Sequence, residues 1–86
     1  MKVHIPSALY SYTQGKTAVE TDGATLDRLL RELDRRYPGL RFRIVDEQEK
    51  LRPHMKIFIN GSSIRNLAHP LQPGDAIHLL CALSGG

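Results

Sequence analysis

The sequence predicts an α+β fold in which a mixed sheet wraps one main helix, and three features carry that expectation. One long stretch, residues 25–37, sets Leu26, Leu29, Leu30, Leu33 and Tyr37 at helical spacing. Short alternating stretches lie on both sides of it. The final stretch, residues 76–83, is apolar on both faces, which places it in the middle of a sheet with neighbours along both edges.

Taken in order, Val3 and Ile5 alternate with Lys2 and His4, so a first strand is expected, one that bends or loosens past Pro6 and carries Leu9, Tyr10 and Tyr12. Gln14-Gly15 supplies a turn. Residues 16–21 set the β-branched Thr17, Val19 and Thr21 against Ala18 and Glu20, the pattern of an antiparallel hairpin partner with Val19 inward. Asp22, Gly23 and Ala24 are turn residues, and Thr25 is a candidate N-cap for the leucine-striped helix that covers the sheet. Pro38-Gly39 ends that helix, because a residue before proline disfavours helical torsions and glycine suits the exit.

Residues 40–45 place Phe42 and Ile44 against Arg41 and Arg43, which reads as a short strand, and residues 46–53 are polar and irregular. Residues 54–60 form the next strand, with Met55, Ile57 and Ile59 on one face and Lys56 and Phe58 on the other. Asn60-Gly61 is the favoured two-residue hairpin turn, and residues 62–65 are the short return. Residues 67–74 form a loop with Pro70, Pro73 and Gly74, in which Leu67 and Leu71 plug the bottom of the core. The last strand directs Ile77, Leu79, Cys81 and Leu83 to one face and Leu80 and Ala82 to the other. Set beside the first strand, it completes a β-grasp.

Eighty-six residues suit one domain, 1–86, with a modest core and too little chain for an elaborate buried active site. With 41% hydrophobic and 24% charged residues, no apolar run of membrane-spanning length and no signal-peptide pattern, a soluble cytoplasmic protein is expected. The lone Cys81 agrees, since it cannot form an internal disulfide, and it reads as a small buried hydrophobe. The net charge of +3 comes from basic residues interleaved with acids, which argues against nucleic acid as a partner. Asp27 with Arg31, Arg28 with Glu32, and Glu32 with Arg36 stand at i,i+4, as on a solvated helix face. His4, His54, His69 and His78 fall in different elements at no metal-ligand spacing, and no phosphate loop, nucleophile elbow or paired carboxylates stand out. No metal, no bound cofactor and no catalytic residue are expected.

The sequence closes on Ser84-Gly85-Gly86 directly after the apolar strand. Two glycines make a thin, pliable thread, read here as a flexible tail over residues 84–86. Three extended residues reach only about 10 Å past Leu83, so a partner working on the terminal carboxylate must also dock on the fold. Phe58 and Leu80 lie opposite the core-directed sets, which makes them candidates for that docking face along with Leu83.

The helix over residues 25–37, Ile57-Phe58-Ile59-Asn60-Gly61, the His69-Pro70-Leu71-Gln72-Pro73-Gly74-Asp75 loop and the closing Ala82-Leu83-Ser84-Gly85-Gly86 together resemble the ubiquitin-like sulfur carrier proteins. These include the small subunit of molybdopterin synthase, the thiamine-pathway carrier and the carrier of a cysteine-forming route. With the insert over residues 46–54, the chain is similar to the molybdopterin and cysteine-route types more than to the shorter thiamine type. The resemblance implies that a ubiquitin-activating-type adenylating enzyme uses ATP to join Gly86 to AMP, and that sulfur then displaces AMP to leave a thiocarboxylate. It implies a carrier that is substrate rather than enzyme, and a sulfur-accepting synthase or large subunit as second partner. The receiving pathway stays open, as do a ubiquitin-like modifier conjugated through Gly86 and a non-catalytic β-grasp interaction subunit.

Overall fold

The computed structural model describes residues 1–82 and builds them around a five-stranded sheet. Its strands are β1 (Lys2–His4), β2 (Ala18–Glu20), β3 (Met55–Ile59), β4 (Ser62–Ser63) and β5 (Ala76–Cys81), in the order β2-β1-β5-β3-β4. β1 and β5 run parallel, with Val3 opposite Ile77, whereas β1–β2, β3–β5 and β3–β4 are antiparallel. β5 therefore lies centrally, as its two-faced apolarity predicts. The strands alternate cleanly: Val3, Val19, Met55, Ile57, Ile59, Ile77 and Leu79 are buried. Against that face packs α1 (Leu26–Arg36), which buries Leu26, Leu29, Leu30 and Leu33.

The loop before β5 is what seats α1. The first amides of a helix lack partners within it, and here three are satisfied from outside the helical ladder. Leu26 N–H donates to the His69 carbonyl (3.0 Å), Asp27 N–H to the Leu67 carbonyl (2.8 Å) and Arg28 N–H to the Thr25 hydroxyl (3.3 Å); Leu29 N–H then makes the first helical bond, to the Thr25 carbonyl (3.0 Å). Leu71 is buried at the end of this loop and Leu67 packs partly buried against the core, as the sequence predicts. The hairpin between β3 and β4 turns at Asn60 (φ 52°) and Gly61 (φ 87°), both left-handed, as a type I′ turn requires.

Two sequence expectations are corrected. Residues 7–13 do not prolong the first strand; Ser7–Thr13 coils into a 3-10 helix that buries Leu9 and Thr13. The last ladder bond runs from Ile5 N–H to the Thr17 carbonyl, and Pro6 then offers no N–H to continue it. Residues 40–45 do not form a strand either: Leu40–Ile44 is a short helix, α2, whose buried Leu40 and Ile44 stand at i,i+4 while Phe42 is 54% exposed. Asp34 of α1 accepts the N–H groups of Gly39 and Arg41 (3.1 Å each) and so caps this turn, with Gly39 at φ 95°. Arg52 lays its guanidinium over the exposed Phe42 ring, 4.6 Å from the centroid.

The insert that follows α2 is held by polar contacts. Asp46 accepts the N–H groups of Gln48 (2.8 Å) and Lys50 (3.1 Å), closing a loop in which Glu49 adopts φ 62°. Glu49 and Asp27 both accept from Arg41, at 2.8 and 2.7 Å, and both also accept from Arg31. Arg65 donates to the carbonyls of Met55 (3.1 Å) and Leu51 (3.1 Å), tying the insert to β3.

Candidate functional site

The site has two parts, the root of the C-terminal tail and the sheet face turned away from α1. β5 runs to Cys81, which is half-buried against the core, and Ala82 N–H donates to the His54 carbonyl at 2.7 Å, anchoring the chain beside the entry to β3. Leu83, Ser84, Gly85 and Gly86, all singled out from the sequence, lie outside the described residues.

The motif loop before β5 positions that strand. Asp75 accepts Gln72 N–H (2.8 Å) and the Asn60 side-chain amide (2.9 Å), while the Asn60 side-chain oxygen accepts Ala76 N–H (3.0 Å). The Gln72 N–H first and the Asn60 amide second hold the Asp75 carboxyl below the usual carboxylate range. The Asn-Gly and Pro-Gly-Asp motifs thus have a joint structural role: they clamp the β3–β4 turn to the start of β5.

On the outward face, the register aligns Ala18, His4, His78, Phe58 and Ser63 in one row across all five strands. In the next row toward the tail, Leu80 faces Lys56 across β5 and β3. In the row on the other side, Glu20, Lys2 and Ala76 align across β2, β1 and β5. Leu80 is 45% exposed and Phe58 is half-buried, and the two predicted residues lie in adjacent rows of this face. Lys2 and Lys56 stand exposed at its margins, and Glu20 lies 3.5 Å from the Met1 amine.

At the centre is a feature that reading the strands one at a time misses. His4 and His78 stack with ring centroids 4.1 Å apart and planes inclined by 4°. Partial burial, then the neighbouring His78 and Lys2, pushes His4 below the ordinary imidazole range. The signal was available: alternation turns both histidines outward, and the parallel pairing of first and last strands then sets them side by side. Among the described residues no group of three His, Cys, Asp or Glu is placed to hold a metal ion.

Residues 3–86 match the ThiS family. The chain is 32% identical over 89 aligned positions to the sulfur carrier protein CysO of Mycobacterium tuberculosis, covering 98% of this chain and 96% of that one. It is 34% identical over 68 positions to small archaeal modifier protein 3 of Haloferax volcanii, covering 76% and 73% of the two chains. Its fold superposes with a TM-score of 0.92, at 32% identity, on a chain from the crystal structure of the Amycolatopsis orientalis BexX/CysO complex, covering 99% of this chain and 98% of that one. A β-grasp sheet with a central last strand, a family match over nearly the whole chain and sulfur-carrier relatives at this identity establish that the chain belongs to the ThiS family of ubiquitin-like sulfur carriers.

Proposed function

We propose that the chain carries sulfur on the terminal carboxylate of Gly86, and that the open sheet face docks the enzyme that loads it. A carboxylate resists nucleophiles until one oxygen becomes part of a good leaving group. In the loading step a Gly86 oxygen attacks the α-phosphorus of ATP and pyrophosphate departs, giving an acyl-adenylate. Hydrosulfide then adds to the carbonyl carbon and AMP leaves, so that the terminus ends as a thiocarboxylate; a persulfide donor would first give an acyl disulfide, which a thiol then reduces to the same product. Both steps belong to the partner's active site, and the ATP is the partner's; this chain contributes the carboxylate, the thread and the grip.

The observation that carries the reading is the diglycine end following a central apolar strand within a ThiS-family fold. Gly85 and Gly86 let the chain lie along a narrow channel without side-chain clash, and Ser84 keeps it polar. Phe58 and Leu80, with Leu83 beyond them, supply the apolar grip, since a patch of this kind on a small domain marks a protein interface. The CysO relatives favour delivery of the sulfur to a cysteine-forming synthase. A second reading, conjugation of Gly86 to lysines of other proteins, is favoured by the archaeal modifier relative and shares the adenylation step. Tagging tests the reading: a residue joined after Gly86 buries the reactive carboxylate in a peptide bond and should abolish ATP–pyrophosphate exchange by the adenylating enzyme, whereas an N-terminal tag should preserve it. Equal exchange with both tagged proteins, each shown intact by mass, would refute it.

A further inference from the structure

The docking face is not uniformly apolar: two imidazoles form its centre, and their geometry sets a condition on docking. We infer that the stacked His4–His78 pair makes the docking face proton-responsive, so that the loading enzyme binds the carrier with both imidazoles neutral and releases it as the pair takes up a proton. The inference rests on the docking reading given under Proposed function and adds its regulation.

Three observations support it. The rings lie parallel with centroids 4.1 Å apart, a contact that two neutral imidazoles hold as an aromatic stack and two imidazolium ions cannot hold without strong repulsion. The pair sits between Phe58 on β3 and Ala18 on β2, with Leu80 in the next row, so a partner gripping Phe58 and Leu80 covers the imidazoles as well. Covering them strips water and disfavours the charged form. The charged groups near the pair also oppose protonation on balance: Lys2 on β1 and Lys56 on β3 are cationic, whereas Glu20 and Asp22 are engaged with the Met1 amine and Asp75 accepts from the Gln72 N–H and the Asn60 side chain. The depressed affinity of His4 for protons agrees with this arrangement, its causes being burial first and then His78 and Lys2.

The carrier alone gives the first test. In a proton NMR titration, the ring protons of His4 and His78 should report two separated steps of proton uptake by the pair. A single shared step, with both rings following one curve, would overturn the inference.

The second test measures the Kd for a ubiquitin-activating-type enzyme that adenylates this chain at pH 7.5, without ATP, at pH 7.5, 6.5 and 5.5. The wild-type Kd should rise several-fold between pH 7.5 and 5.5, with about tenfold the limit for one proton of ordinary imidazole affinity leaving on binding. The doubly substituted His4→Phe/His78→Phe carrier keeps two stacked rings without titratable nitrogens, and its Kd, normalised to its own value at pH 7.5, should change less than about twofold. The His4→Gln/His78→Gln carrier, which also lacks titratable rings on this face, should flatten the profile too, guarding against a folding defect in the phenylalanine pair. An unchanged slope in these carriers, with binding still lost on Leu80→Glu, would refute the proton-responsive pair alone. Undiminished binding of Leu80→Glu would refute the docking face and the inference with it.

Discussion

Replacing Leu80 by Glu separates docking from folding, and the structure supplies the magnitudes. Leu80 is 45% exposed, so about half of its side chain is withdrawn from water in the free carrier. Full burial of a leucine stabilises by roughly 1.5–3 kcal/mol, which makes the loss here about 1 kcal/mol. Part of that returns, because Lys56 stands directly across from position 80 and an opposite-charge pair on facing strands contributes roughly 0.2–1 kcal/mol. The net change is within about 1 kcal/mol, a melting shift of no more than about 4–8 °C for a domain of this size. Ile77→Ala, at a fully buried position on the opposite face of the same strand, should instead cost about 2–4 kcal/mol. Docking should respond in the reverse order. A charge set into the apolar grip should cost about 2 kcal/mol or more of binding, some 30-fold in Kd or in the KM of the adenylating enzyme for the carrier. Thermal unfolding by circular dichroism and a KM measurement at neutral pH decide the matter. An Leu80→Glu carrier that unfolds, or one that folds and is adenylated at the wild-type KM, would refute the reasoning.

Two further predictions concern the scaffold. Gly23→Ala should destabilise the fold, because a Cβ there would stand 2.5 Å from Leu29 N and 2.8 Å from Leu29 Cα, backbone atoms of α1 that cannot step aside cheaply; a melting temperature equal to that of wild type would contradict this. Arg41→Met should cost roughly 1–2 kcal/mol at pH 7, less than the loss of a fully paired buried ion, because the Arg41 Nε already lacks a partner and Arg31 still serves Asp27 and Glu49. Burial by itself would raise the Asp27 carboxyl, but hydrogen bonds from Arg31 and Arg41 more than offset it; Glu49 is lowered chiefly by its hydrogen bond from Arg41. Carboxyls depressed in the folded state contribute stability above their unfolded pKa of about 4 and lose it as pH falls through their folded values. The difference between wild type and Arg41→Met in denaturant should therefore shrink from pH 7 to pH 3, and a difference independent of pH would contradict the assignment.

What could be read in the sequence tracks how far each signal extends along the chain. α1 shows four leucines on one stripe, and β3 and β5 alternate over five and six residues, enough to fix element type and inward face. Residues 40–44 offer too little. Phe42 and Ile44 fit a period of two, Leu40 and Ile44 fit a helical turn, and the choice falls to Asp34, a side chain on another helix that caps the turn. The coil at residues 7–13 is decided by where the β2 partner ends rather than by its own pattern. Arg65 gives no local signal at all, because the carbonyls it binds come from the insert and from β3. Of the candidate site, Phe58 and Leu80 were legible because facing out is a property of alternation. The His4–His78 stack needed one further step, because neither strand shows it alone and it follows only when the outward alternation is combined with the parallel pairing of the first and last strands.

The most direct measurement is the intact mass of the carrier after incubation with its adenylating enzyme, ATP and a sulfur donor, followed by fragmentation to place the change. The account predicts that one oxygen of the Gly86 carboxylate is replaced by sulfur, only when ATP is present. Sulfur found on Cys81 instead, or a terminus left unchanged while the enzyme consumes ATP in the presence of the carrier, would contradict it.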